Sequence, residues 1–284
     1  SPQLSTLWTR LSTELVTSVF AGALLLLLLY HAWATTRGLW RVWPASDEVR
    51  FVWQAALTEA AAYLDGSAET GPVAVGGWTP ETMDPPTMEL SLRRDDLALR
   101  FFNPTESLLL PEPDNETATL VRPAILSLAP ALEVITGRWE ISPPGFAEGV
   151  QFARYQYDAL PTLRPDFPAD VAYGDELRFL GHSLDPACSD PEETCGVTTF
   201  WRVLSPAGKP RRIFLHVMGP DGALLAQDDR LGAPAEYWQP GDVVIQRLIP
   251  LHRAGELRLG VYDPVSGQRL LTEDGEEYSV LSIQ

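Results

Sequence analysis

Leu15-Val-Thr-Ser-Val-Phe-Ala-Gly-Ala-Leu-Leu-Leu-Leu-Leu-Leu-Tyr-His-Ala-Trp-Ala34 is the longest apolar block in the chain, with leucine unbroken from Leu24 to Leu29. At about 1.5 Å of rise per helical residue, a block of this length covers the roughly 30 Å hydrocarbon core of a bilayer. Trp8, Tyr30, Trp33, Trp40 and Trp43 fall toward its two ends, where interfacial rings belong. The block therefore reads as a membrane anchor that meets the lipid bilayer from Leu15 to Ala34. A cleaved signal peptide is the rival reading, but the run is long for one. It is followed by Thr35, Thr36 and Arg37 rather than a small-residue cleavage site. Ala21, Gly22 and Ala23 offer a small-residue surface on which a second membrane helix can pack closely. The chain starts at Ser1 rather than a methionine, so a trimmed start or further upstream spans are both open readings.

Arg10 precedes the block while Arg37, Arg41 and Arg50 follow it, which taken alone favours a cytoplasmic C-terminal side. About 250 residues come after the anchor, enough for two ordinary domains. The 38 acidic against 21 basic residues, net −17, repel phosphate backbones and exclude nucleic acid as a partner. With 25 prolines and 21 glycines, this part should be built of turns and short strands.

Cys188 and Cys195 bracket an acidic loop, Asp185-Pro-Ala-Cys-Ser-Asp-Pro-Glu-Glu-Thr-Cys-Gly196. A disulfide closing this loop is the leading reading, and such bonds persist in oxidising compartments. A metal site is the weaker alternative, because it needs ligands beyond the two cysteines and His182. No Cys-x-x-Cys-His and no four-cysteine set is present, so neither covalent haem nor an iron–sulfur cluster is expected, and no cofactor or metal is assigned.

Along the chain, Ser46 followed by Asp47 and Glu48 reads as a helix start. Val49, Val52, Trp53, Ala56, Leu57, Ala60 and Leu64 recur at three and four, predicting one helix up to Leu64 whose apolar face docks on a sheet or a membrane surface. A short strand at Pro72 to Val75 precedes a second helix opened by Asp84-Pro85-Pro86 and reaching Arg94. Strands follow at Leu97 to Phe102, Ser107 to Leu110 and Thr119 to Arg122, then a helix from Pro130 to Thr136. From about Phe152 the pattern becomes all β: Leu177 and Phe179, Thr199 to Val203, Ile213 to Val217, Val243 and Ile245, and Leu257 to Val261 alternate at period two. The fold class is thus α+β: an anchor with flanks over 1–44, a small α/β domain over 45–140, a Pro-rich connector with one candidate strand over 141–169, and an antiparallel β-sandwich over 170–284.

Pro72-Val-Ala-Val-Gly-Gly-Trp-Thr-Pro-Glu-Thr-Met-Asp-Pro-Pro-Thr-Met88, with Arg100-Phe-Phe102, resembles the extracytoplasmic tail of bacterial membrane glycosyltransferases of the dolichyl-phosphate-mannose mannosyltransferase type. Tyr173-Gly-Asp, Ile213-Phe-Leu-His216, Gly219-Pro-Asp-Gly222, Trp238-Gln-Pro-Gly241 and Gly260-Val-Tyr-Asp-Pro264 are similar to the β module appended to such proteins. These motifs are turns and core positions, and no residue here matches that family's catalytic carboxylates. The resemblance implies location: the bacterial inner membrane, with the C-terminal domains in the periplasm or outside the cell, which together with the cysteine reading outweighs the arginine count. A single span with a large tail also resembles the accessory subunit of alternative complex III, a quinol-oxidising electron-transfer assembly. The expected function is therefore a noncatalytic accessory subunit partnered by integral membrane proteins and their periplasmic domains. The sugar-binding or lid-like tail of a glycosyltransferase is the alternative.

Candidate chemistry is sparse. Asp95-Asp96 reads as a solvated charge cluster, His216 as a structural histidine on the outer face of its strand, and Asp228-Asp229 and Asp263 as turn caps. Asn115-Glu-Thr117 matches a glycosylation acceptor. Tyr237 and Trp238, between Pro234 and Pro240, are the candidate exposed anchors for a protein interface, with packing beneath their loop and stacking on a sugar ring as the other readings. No nucleophile elbow, Walker loop, zinc-protease motif or dinucleotide fingerprint occurs, and no catalytic residue is assigned.

Overall fold

The computed structural model describes residues 2–113, 117–136, 152–185, 196–249 and 255–282. Two units are present, Ser1–Trp53 and Gln54–Gln284. In the first, α1 (Pro2–Arg37) continues into a single π-turn, Gly38–Val42, closed by Trp43 N–H donating to Gly38 O at 2.8 Å. Leu15–Val42 is long and apolar enough to cross a membrane, with a mean hydropathy of 2.0 over its most apolar window and none of that window buried. It is the only such helix among the described residues. A short helix, α2 (Asp47–Val52), follows, and the Trp53 ring lies edge-on to Trp43 at 6.4 Å.

The single helix expected from Ser46 to Leu64 is two. The chain breaks at Gln54, whose φ of 52° and ψ of 38° are left-handed, and α3 (Ala55–Gly66) begins after it. The periodicity runs through the break because both pieces carry an apolar face. Phe51, Val52 and Trp53 are exposed, whereas Ala56, Leu57, Ala60, Ala61 and Leu64 are buried.

In the second unit, β1 (Val73–Gly76) runs parallel to both β2 (Leu99–Phe102) and β4 (Ala118–Pro123), and β5 (Phe152–Tyr157) pairs antiparallel with β4. A strand covered on both faces reads as a continuous apolar run, as Val73-Ala-Val does. Val73, Val75, Phe101 and Val121 meet α3 and Met88 of α4 (Asp84–Ser91). Ala74, Phe102, Leu120 and Tyr155 point the other way, into a core shared with the remaining sheets. The helix α4 ends at Ser91 rather than Arg94, because Asp65 Oδ1 accepts from Arg93 N–H (2.9 Å) and Arg94 N–H (3.1 Å) and turns the chain away.

The second sheet has β3 (Ser107–Leu110) at one edge, then β11 (Val243–Leu248), β8 (Val197–Val203), β7 (Leu177–Leu184) and β6 (Phe167–Tyr173). The third runs β10 (Leu224–Arg230), β9 (Arg212–Met218), β12 (Glu256–Tyr262) and β13 (Ser279–Leu281). Every neighbouring pair in both is antiparallel. Phe179, Trp201 and Val203 from one sheet and Ile213, Leu215, Val217, Leu259 and Val261 from the other fall in one buried cluster. The period-two pattern had marked these as inward-facing. The strand at Ser107–Leu110 forms, but its ladder partner is β11 rather than a strand of the first sheet. Leu108, Leu109 and Leu110 are all fully buried, so the segment has no alternation that could point to a partner.

Candidate functional site

Among the described residues of the second unit, three gatherings of polar side chains bear on the segments marked out in the sequence. The first explains the Pro72 to Met88 motif. Asp84, fully buried, accepts from Thr79 N–H and Thr79 Oγ1, both at 2.9 Å, and from Gln54 Nε2. Gln54 Nε2 also reaches Thr79 Oγ1 at 3.1 Å, and the Thr87 hydroxyl donates to Gln54 Oε1. A non-glycine residue in the left-handed region costs on the order of 1–3 kcal/mol, which these bonds offset. Burial pushes the Asp84 pKa up and the donors from Thr79 and Gln54 pull it back. A Cβ on Gly77 would sit 1.9 Å from Asp84 Oδ2, so only glycine fits there. The motif is thus a clasp on the start of α3. Asp84 serves it by reaching back to Thr79 and Gln54 rather than by capping α4, whose cap position is Met83.

The second place joins two sheets. Arg100 on β2 donates through Nε to Asp242 Oδ2 at 3.1 Å, and the side chains are only 7% and 1% exposed. Asp242 also accepts from Gln239 N–H (2.9 Å) and Glu112 N–H (3.3 Å). Gly241, at φ +91°, makes the turn that delivers Asp242 to this position.

The third place is an open cavity of about 740 Å³ at the C-terminal end of α3, lined by Tyr63, Glu69, Thr117, Arg154 and Gln156 among others. Arg154 Nη2 lies 2.6 Å from Glu69 Oε1 and 2.9 Å from Gln156 Oε1. The Tyr63 hydroxyl donates to Glu69 Oε1 at 2.9 Å. Its pKa is pushed up to about 12, chiefly by burial and then by Glu69, so it remains a donor at every physiological pH. Arg94 fixes the loop beneath by donating to the carbonyls of Leu64, Ser67 and Glu69.

The residues singled out by sequence fare unevenly. Nothing lies within 4 Å of a Cβ placed on Gly22, and Ala21 and Ala23 are likewise exposed, so this face of α1 is uncovered. Cys188 and Cys195 lie outside the described residues, as do Asn115 and Glu116 of the sequon. Trp238 corrects the expectation of an exposed anchor: it is fully buried, with Nε1 donating to Ala233 O at 3.1 Å. Tyr237 packs its ring against Phe101 at 4.8 Å in an edge-on geometry. His216 sits outside the core, as its strand position implies, with Nε2 3.3 Å from Asp229 Oδ1. Burial lowers its pKa against the opposing pull of Asp229. His182 is buried, stacks on Phe167 at 4.8 Å and meets Ser282 O at 2.7 Å.

Asp96 pairs with Arg94 at the surface. Asp263 caps its turn by accepting from Val265 and Ser266 N–H, which bring its pKa down to about 2. Asp228 accepts from Ile249 N–H at 2.6 Å, whereas Asp229 faces His216 and Tyr262 instead of a turn. Gln54, Glu69 and Arg154 were not read as special, since nothing local marks them. Their roles come from partners about 25 to 85 residues away.

Among the described residues no group of three or more His, Cys, Asp or Glu is placed to hold a metal ion. Compared with protein-family models, curated proteins and solved structures, the chain matches none.

Proposed function

We propose that this chain is a noncatalytic, membrane-anchored accessory module that stands on the extracytoplasmic side of a bacterial inner membrane and works by contact with integral membrane proteins. The observation that carries this reading is α1: a helix long and apolar enough to span, with none of its most apolar window buried. Apolar exposure runs to the end of the span and beyond it, with Trp40 at 78% and Trp53 at 68%, and Arg41 and Arg50 alongside. Such a mixture suits the headgroup region. The second and third sheets read as the two layers of a β-sandwich, a rigid body suited to buttressing neighbours. The partner class that this arrangement resembles is a quinol-oxidising complex.

The uncovered small-residue face at Ala21, Gly22 and Ala23 gives the test. Gly22→Leu should reduce several-fold the partner membrane proteins that copurify with the chain, read by mass spectrometry, while membrane insertion is unchanged. Equal recovery would show that the helix tethers without packing. A second reading, the sugar-binding tail of a membrane glycosyltransferase, is favoured by the open polar cavity beside Glu69 and Arg154. Recovery of the chain within one long polytopic polypeptide would select it.

A further inference from the structure

Arg37 and Arg41 stand where the apolar helix runs out. About twenty residues counted from Leu15 fill the roughly 30 Å hydrocarbon layer, so these two positions fall about 5 and 10 Å beyond it, within side-chain reach of the lipid phosphates. Residues four apart share a side of a helix, and Trp33, Arg37 and Arg41 follow one another at that spacing through the end of α1 and into the π-turn. The Arg37 guanidinium lies over the Trp33 ring, 5.5 Å from its centroid, so the indole holds it in place. Both arginines are exposed, and among the described residues neither meets a carboxylate. No aspartate or glutamate occurs from Leu15 to Ser46, although the whole chain carries a net charge of −17. Exposed rings accompany the pair: Trp43 and Trp53 lie edge-on at 6.4 Å and are 50% and 68% exposed.

We infer that Arg37 and Arg41 clamp the phosphate of an anionic phospholipid in the leaflet where α1 ends. A guanidinium fork donates two parallel N–H bonds to phosphate oxygens, and two forks on one side of a helix share one headgroup. The bilayer itself delivers lipid phosphate to this depth, which a free phosphate ion in water lacks. A zwitterionic headgroup brings an ammonium that the two cations repel, so lipids of net negative charge are selected. The acidic remainder of the chain repels the same lipids, which confines the selection to this end of the helix. The clamp also gives a partner to arginines that the proposed topology places on the extracytoplasmic side, against the usual charge rule. It rests on the reading of α1 as a span, and not on which membrane proteins the span meets.

The test is reconstitution of the full chain into phosphatidylcholine bilayers carrying a trace of spin-labelled lipid, either phosphatidylglycerol or phosphatidylcholine. Electron paramagnetic resonance then reads the fraction of each label held at the protein. The parent should select phosphatidylglycerol roughly fivefold at low ionic strength, and added salt should shrink the preference. Arg37→Gln with Arg41→Gln should bring the two lipids to parity while the chain still resists alkaline washing from the membrane. Arg37→Lys with Arg41→Lys keeps the charge and should keep most of the preference, which separates the clamp from any general effect of changing these positions. A parent that inserts without preference, or a glutamine double variant that retains it, overturns the clamp and leaves the anchor reading standing. Release of the parent by alkaline washing would instead remove the anchor reading and the clamp with it.

Discussion

Asp242→Ala should destabilise the chain by about 3–5 kcal/mol, because it strands Arg100 in the interior without its counter-charge. The pair is almost wholly excluded from water, and Asp242 also anchors the backbone of Gln239 and Glu112. Denaturant unfolding of the detergent-solubilised chain, followed by tryptophan fluorescence, reads the loss as a lowered midpoint. The surface pair Arg94–Asp96, with Asp96 54% exposed, supplies the contrast: Asp96→Ala should leave the midpoint close to that of the parent. Arg100→Ala adds a pH signature. Burial already pushes the Asp242 pKa up from 3.8 and Arg100 is the main opposing influence, so removing Arg100 raises it further. A carboxyl whose folded pKa exceeds its unfolded pKa binds protons more tightly in the fold, so the added stability is fully present below the unfolded pKa and is lost as pH rises through the folded one. The Arg100→Ala variant should therefore be more stable at mildly acidic pH than at neutrality, relative to the parent. A flat difference between the two across that range would contradict the assignment.

Trp238→Ala should cost about 3–5 kcal/mol as well, for a different reason. The indole is fully enclosed in the shared core, so truncation leaves a cavity and orphans the Ala233 carbonyl that it had satisfied. Tyr237→Ala should cost less, since that ring is only partly buried and its main aromatic contact is Phe101. Both are read from the same unfolding curves. If Trp238→Ala left the midpoint within about 1 kcal/mol of the parent, the indole would be an exposed anchor after all.

Much of the architecture was legible because it obeys strong periods. The leucine block has a composition that water-exposed folds do not carry, and Ile213-Phe-Leu-His-Val217 or Leu257-Arg-Leu-Gly-Val261 alternate as half-buried strands must. What escaped was set by distant partners. Leu224-Leu-Ala-Gln-Asp-Asp-Arg230 has no alternation because β10 is an edge strand with a largely uncovered face. The break at Gln54 carries no glycine or proline, and only Thr79, Asp84 and Thr87 make it affordable. The sequence leaves the placement of Trp238 open, because proline-flanked aromatics look the same whether the loop turns them out or in. The cavity was invisible for a related reason: Tyr63, Glu69 and Arg154 come together only when α3 lies across β5.

In the proposed topology α1 crosses a membrane and leaves the Gln54–Gln284 unit on the extracytoplasmic side. An epitope appended after Gln284 and probed with antibody on intact bacterial spheroplasts tests it most directly. The epitope should be bound without permeabilisation and should stay with the membrane fraction after alkaline washing. Binding only after the spheroplasts are lysed, or release of the chain by the wash, would contradict it.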